Sequence, residues 1–295
     1  MMNKLNEAAA LLPIRLNSEL LILPEEEKDR IEEIRLRAGR PMTVLTDGSE
    51  KTIAPEYTVN ADELEDVLEC AAGASVHAVQ SELSVGYLRA PGGIRLGVCG
   101  TAVMRSGTVS GVREISSISL RIPREHFGLA GNELKAMLKN GLTDILIISP
   151  PGAGKTSCLR EYIRRISNTG RRVSVADERG EIAAVSDGIP QFDIGTHSDV
   201  MTEAPKASAA MMLLRSMNPE VLAMDEISSR DDMTAVYEAA GCGVKLLATA
   251  HAGGIEDLYK KRSYRELISS GIFRFCLVIE NRGGKRSYSV KELHS

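Results

Sequence analysis

The stretch ILIISPPGAGKTS, residues 145–157, decides the fold. Ile145–Ile148 is an apolar run of the kind that forms a buried strand, and Lys155 opens a helix-like run that reaches Asn168. Between them lie Ser149, Pro150, Pro151, Gly152, Ala153 and Gly154. Strand, glycine-rich turn and helix in that order make a phosphate-binding loop. Glycine lets the backbone wrap close to phosphate oxygens, and the helix N-terminus adds partial positive charge. The general pattern is G-x-x-x-x-G-K-[ST]. Here Ser149 stands at the first position, and Gly152 and Gly154 supply the flexibility. Residues Ser149 to Ser157 are the expected phosphate binders, with Lys155 reaching the β- and γ-phosphates and Thr156 ligating a metal. The ligands implied are ATP and Mg2+.

Three further segments lie downstream. In VLAMDEI, residues 221–227, an apolar strand ends in Asp225 and Glu226. An acid at such a strand end holds Mg2+ or its water, and a second acid orients the attacking water. Thr156, Asp225 and Glu226 are therefore the candidate metal residues, and Glu226 the leading catalytic one. In VSVADERGEIAA, residues 173–184, a buried strand runs into Asp177, Glu178 and Glu181. Placed beside the phosphate-loop strand, these carboxylates would face the γ-phosphate. In LLATAHAGG, residues 246–254, a strand ends in Thr249 and His251, where a sensor of the γ-phosphate sits.

Strands and helices alternate from Glu133 onward. Helices are predicted over Ala204–Met217 and Asp231–Ala240, and strands over Arg172–Asp177, Val221–Asp225 and Lys245–Ala250. That alternation implies a parallel sheet flanked by helices, an α/β fold. The final IFRFCLVIENRGGKRSYSV reads as a two-stranded hairpin.

The first part of the chain differs. Residues 5–40 read as mostly helical, from Leu11, Leu12, Leu16, Leu20, Leu21 and Leu23, with Pro24 starting a further helix. Ile34, Leu36 and Ala38 alternate with Arg35 and Arg37, which suggests a strand. Asn60 is a fitting N-cap for a helix over Val59–Gly73. Short apolar runs between glycine-rich turns over residues 83–122 suggest an antiparallel meander. A boundary near residues 124–132 gives an α+β domain over 1–128 and an α/β domain over 129–295. The meander and its exit carry Arg89, Arg95, Arg113, Arg121 and Arg124. Phosphoryl transfer needs positive charge as the transition state develops, and Arg113 and Arg121 are the leading donors. Arg215, near the Asp225 strand, is another.

Bulk composition narrows the class. Aromatic residues make up 4% of the chain, Trp is absent and the net charge is −4. A stacking platform for single-stranded nucleic acid wants more aromatics and a basic surface, so nucleic acid is not an expected partner. The five cysteines are scattered and form no C-x-x-C pair, which argues against a disulfide scaffold or a zinc site. No apolar run approaches the roughly 20 residues of a membrane span, and no secretory leader is apparent. A soluble, cytoplasmic protein is expected.

The order SPPGAGKT, DERGE, LLRSMNPEVLAMDEI and TAHAGG resembles the type II and type IV secretion ATPases and pilus-retraction motors. In that family an acidic box, an L-R-x-x-P-[DE] segment, a Walker B glutamate and a T-x-H box follow the phosphate loop. These fall on Asp177, Glu178 and Glu181; on Leu214, Arg215, Pro219 and Glu220; on Glu226; and on Thr249 with His251. Where the family usually carries G-E-x-R-D, this chain has DEISS, with Ser228 and Ser229 in place of the Arg and second Asp. The opening segments LLPIRLNSELLILP and IEEIRLRAGRP are similar to a narrower sporulation family of endospore-forming bacteria. The resemblance implies a RecA-like ATPase domain behind a smaller α+β domain and a homo-hexameric motor. It further implies a place in the mother cell, at the membrane facing the forespore. The implied partners are the membrane proteins of the sporulation channel operon. Two other readings stay open: a RecA-like ATPase stimulated by nucleic acid, and a nucleotide-binding scaffold with little turnover.

Overall fold

The computed structural model describes residues 4–73, 83, 86–186, 188–282 and 285–293. The chain divides into two compact units, Met1–Arg124 and Glu125–Ser295. Glu125 and Gly128 are already tied into the second unit. The Asp193 N–H donates to Glu125, and the Gly128 N–H donates to the buried Glu161.

The first unit opens with helices α1 (Lys4–Ala9), α2 (Ile14–Leu21) and α3 (Glu25–Lys28). The run expected to be mostly helical to residue 40 is thus cut short. Pro13 and Pro24 stand at the N-caps of α2 and α3, where a missing N–H costs nothing, and strand β1 begins at Ile31. Strands β1 (Ile31–Arg37), β2 (Thr43–Thr46), β3 (Ser49–Thr52), β4 (Tyr87–Ala90), β5 (Ile94–Arg105) and β6 (Thr108–Arg121) form an antiparallel sheet of order β3-β2-β1-β6-β5-β4. Helix α4 (Ala61–Ala71) starts at Asn60 in a reciprocal capping box with Glu63. Strand residues Ile34, Leu36, Leu96 and Leu120 pack in one cluster with Leu16 and Leu20 of α2 and Leu64 and Val67 of α4. The alternate strand positions carry Glu33, Arg35, Arg95 and Arg121.

The second unit is built on a seven-stranded sheet. Its strands are β7 (Ile145–Ser149), β8 (Val173–Asp177), β9 (Ser198–Thr202), β10 (Val221–Met224), β11 (Lys245–His251), β12 (Phe275–Arg282) and β13 (Lys285–Glu292). Its helices are α5 (Gly131–Met137), α6 (Lys155–Ser167), α7 (Lys206–Ser216), α8 (Arg230–Gly241), α9 (Ile255–Lys260) and α10 (Arg262–Ser269). The order is β13-β12-β7-β11-β10-β8-β9, parallel except for the β12–β13 hairpin. The turn expected at the hairpin includes residues 283 and 284, which lie outside the described residues.

The sheet is covered on both faces, as a parallel sheet must be. Ile145 and Ile147 cluster with α6 residues Leu159, Tyr162 and Ile163. Leu146 and Ile148 cluster on the other face with Leu213 of α7, Val236 of α8 and Leu267 of α10. The strand order corrects one expectation. The acidic-box strand β8 does not lie beside the phosphate-loop strand β7, because β11 and β10 stand between them. Right-handed crossovers explain the order. Helix α6 carries the chain outward from β7 to β8 over one face, and α7 and α8 return it over the other, so the later strands fill the gap. The C-terminal ends of β7, β8, β10 and β11 share one edge, where doubly wound sheets place their ligands.

Candidate nucleotide site

Ser149 ends β7 and is fully buried. The loop beyond it uses left-handed backbone at Gly152 (φ 74°) and Gly154 (φ 98°), a region that costs glycine little. Gly154 is the N-cap of α6, so Lys155 begins the helix. The Lys155 side chain is drawn back into the loop. Its Nζ lies 3.3 Å from the Ser149 carbonyl, 3.4 Å from the Pro150 carbonyl and 2.8 Å from His251 Nδ1. Burial pushes the ammonium below its ordinary pKa, while Asp225 and Glu226 pull it back up. A lysine ammonium held over a glycine-rich turn at a helix N-terminus is a donor set that fits phosphate oxygens.

Asp225 and Glu226 leave the end of β10 in different directions. Asp225 Oδ2 accepts from the Thr156 hydroxyl at 2.8 Å, and Oδ1 accepts from Thr249. The Thr249 hydroxyl in turn accepts the Glu226 N–H at 2.8 Å. One threonine, fully buried on β11, thus fixes both acids. Glu226 has a left-handed backbone (φ 46°), rare for a side chain of this kind. Its Oε1 lies 3.4 Å from His251 Nε2, and its Oε2 lies 3.1 Å from Arg179 Nη1. Lys155 and Glu226 thus flank the two ring nitrogens of His251, giving a chain Lys155–His251–Glu226. Thr156 beside Asp225 is the hydroxyl and carboxylate pair suited to Mg2+.

The acidic-box carboxylates differ in their partners. Asp177 is 2% exposed and its carboxylate accepts the N–H groups of Glu181, Ile182 and Ala183. Burial raises its pKa, and the three N–H donors work against that rise. Its lone pairs are spent on shaping the following loop. Asp177, Glu178 and Glu181 all line one pocket with Lys206, Asp225 and Glu226.

Two residues that the sequence reading passed over organise this pocket. Lys206, 9% exposed, donates to the Glu226 carbonyl at 2.9 Å and lies 3.5 Å from Glu178 and 3.7 Å from Asp232. A lysine in the first turn of a helix opposes the helix dipole, and that anomaly was the available signal. Arg160 of α6 donates to the Glu181 and Ile182 carbonyls, both at 2.6 Å, and stacks on Phe192 at 3.6 Å. Burial pushes its pKa down to about 10. No periodicity sets Arg160 apart from the arginines around it. The DEISS departure has a structural role: Ser229 caps α8 in a box with Asp232, which also accepts the Ser228 N–H.

The remaining candidates belong to other elements. Arg113 and Arg121 belong to the first unit, where they pair with Glu114 and Glu33. Arg89, Arg95 and Arg124 belong to that unit too, and Arg124 donates to the Asp29 carbonyl at 2.8 Å. Arg215 ends α7.

A glycine-rich turn between strand and helix at the C-terminal edge of a mixed, mainly parallel sheet gives a RecA-like fold, and solved structures of secretion ATPases agree on that fold. The ATPase DotB of Legionella pneumophila gives a TM-score of 0.62 at 16% identity, over 95% of this chain and 80% of that one. The pilus retraction motor PilT, solved with bound ADP, gives 0.61 at 18% identity, over 92% and 82%. The sequence is more specific. Residues 2–291 match the family described as sporulation stage III, protein AA. Stage III sporulation protein AA of Bacillus subtilis (strain 168) is 35% identical over 291 residues, 97% of this chain and 94% of that protein. The chain belongs to this family. Among the described residues, no helix is long and apolar enough to cross a membrane.

Proposed function

We propose that the second unit binds ATP with Mg2+ and hydrolyses it. One observation carries the reading: Thr249 and His251 on β11 tie Lys155, Thr156, Asp225 and Glu226 into a single network. Lys155 exchanges the Ser149 and Pro150 carbonyls for β- and γ-phosphate oxygens. Thr156 and Asp225 would hold Mg2+, which neutralises charge on the phosphate chain. Glu226 orients a water and accepts its proton as the oxygen attacks the γ-phosphorus and ADP leaves. His251 holds the Glu226 carboxylate in place and senses the position of Lys155. Glu178 and Glu181 shape the acidic wall of the same pocket.

In the cell we assign this activity to a homo-hexameric motor in the mother cell. It docks on membrane proteins of the sporulation channel and energises that complex. The family membership and the motor fold support this reading. The test is Glu226→Gln, which keeps shape and removes the base. We expect ATP binding to persist while phosphate release falls by about a hundredfold or more, the scale of general-base loss. Turnover within twofold of wild type would move the catalytic carboxylate to the acidic box.

A further inference from the structure

The two sides of the phosphate loop differ in chemistry. On the β11 and β10 side stand His251, Asp225 and Glu226, the groups that handle the γ-phosphate in the reading above. On the other side β7 pairs with β12, and β12 with β13. One face of β13 carries Arg286, Tyr288 and Val290 at alternate positions. Tyr288 and Val290 pack into the cluster that contains Cys158 and Tyr162 of α6. Arg286 is the member of that row that reaches the loop. A methyl group placed on Gly154 would stand 3.2 Å from the Arg286 Cζ and 3.3 Å from its Nη2, so the guanidinium lies directly against the N-cap of α6. Arg286 is exposed and makes no ion pair with any described residue. Its neighbour is the Tyr288 phenol, to which it hydrogen-bonds.

We propose that Arg286 is a nucleotide-binding residue that holds the α-phosphate, at the end of the phosphate chain away from Glu226. The assignment rests on the ATP reading above. Lys155 is turned toward the acids, so the two cations bracket the loop from opposite sides. A guanidinium with free donors against an anion-binding backbone suits a phosphate oxygen. ADP and ATP share the α-phosphate, so its loss affects both nucleotides alike.

The experiment is equilibrium binding of ADP and ATP by the full chain carrying Glu226→Gln, so that ATP is not consumed. Arg286→Ala and Arg286→Gln are compared with this parent, and Arg286→Lys is the charge-retaining control. We expect both neutral variants to weaken ADP and ATP by the same factor, about tenfold or more, the scale of one charge-assisted hydrogen bond. Arg286→Lys restores part of the loss, because the contact needs charge. Loss of ATP affinity alone would place Arg286 on the γ side and overturn the assignment. Unchanged affinity for both nucleotides would also overturn it, as would a lysine variant that restores nothing. Failure of the parent to bind either nucleotide would instead overturn the ATP reading itself.

Discussion

At the scale of single residues, the site is held under tension. Left-handed backbone at a glutamate costs about 1–3 kcal/mol and persists only where its surroundings impose it. Glu226 is imposed on from both ends: Thr249 takes its N–H and Lys206 its carbonyl. Lys206→Met keeps much of the buried stem and removes the carbonyl's partner. It is expected to lower phosphate release by about tenfold, roughly 1.4 kcal/mol of transition-state positioning, with ATP affinity within about twofold. Equal losses in both would make Lys206 a general folding residue. Lys155 shows the same tension in its titration. Burial favours its neutral form in the folded state, so the folded pKa lies below the unfolded one. The ammonium therefore costs stability in full below that depressed pKa, and the cost disappears as pH rises from it to the unfolded pKa. Without nucleotide, Lys155→Met is expected to melt at or above the wild-type temperature near pH 7. The rise in Tm that nucleotide gives the wild type should be absent in the variant. A markedly lower melting temperature would mean that Lys155 is structural.

At the scale of elements, α6 does two jobs. Its N-terminus carries the phosphate loop, and one turn later Arg160 grips the acidic-box loop through two carbonyls and the Phe192 ring. Arg160→Ala removes both bonds and the stacked ring contact. It is expected to raise amide hydrogen exchange across residues 178–192 while β7 and β11 stay protected. Uniform exchange across the second unit would show that Arg160 supports the whole core. Elements of this kind were unevenly legible in the sequence. Lys155, Thr156, Asp225 and Glu226 could be read because strand, turn and helix leave fixed spacings around them. The two-sided burial of β7, β10 and β11 wrote itself as apolar runs. For Asp177 the pattern is ambiguous, because an acid after a buried strand reads the same whether it faces a ligand or caps a loop. Lys206 and Arg160 act through distant partners, and local patterns carry no record of such contacts. The place of β8 in the sheet escaped for the same reason, since strand order follows from crossover handedness over the whole unit.

At the scale of the molecule, each unit has its own core, and the network proposed for ATP hydrolysis lies within the second. The proposed activity is turnover of ATP at the Lys155–His251–Glu226 network. Phosphate release by the purified full chain, with Mg2+ and ATP, beside Lys155→Ala, tests it most directly. Mg2+-dependent release by the wild type is expected, rising in specific activity with protein concentration if subunits share the site, with release at background in the variant. Release that is equal in the two proteins, or absent from the wild type at concentrations where it binds ATP, would contradict it.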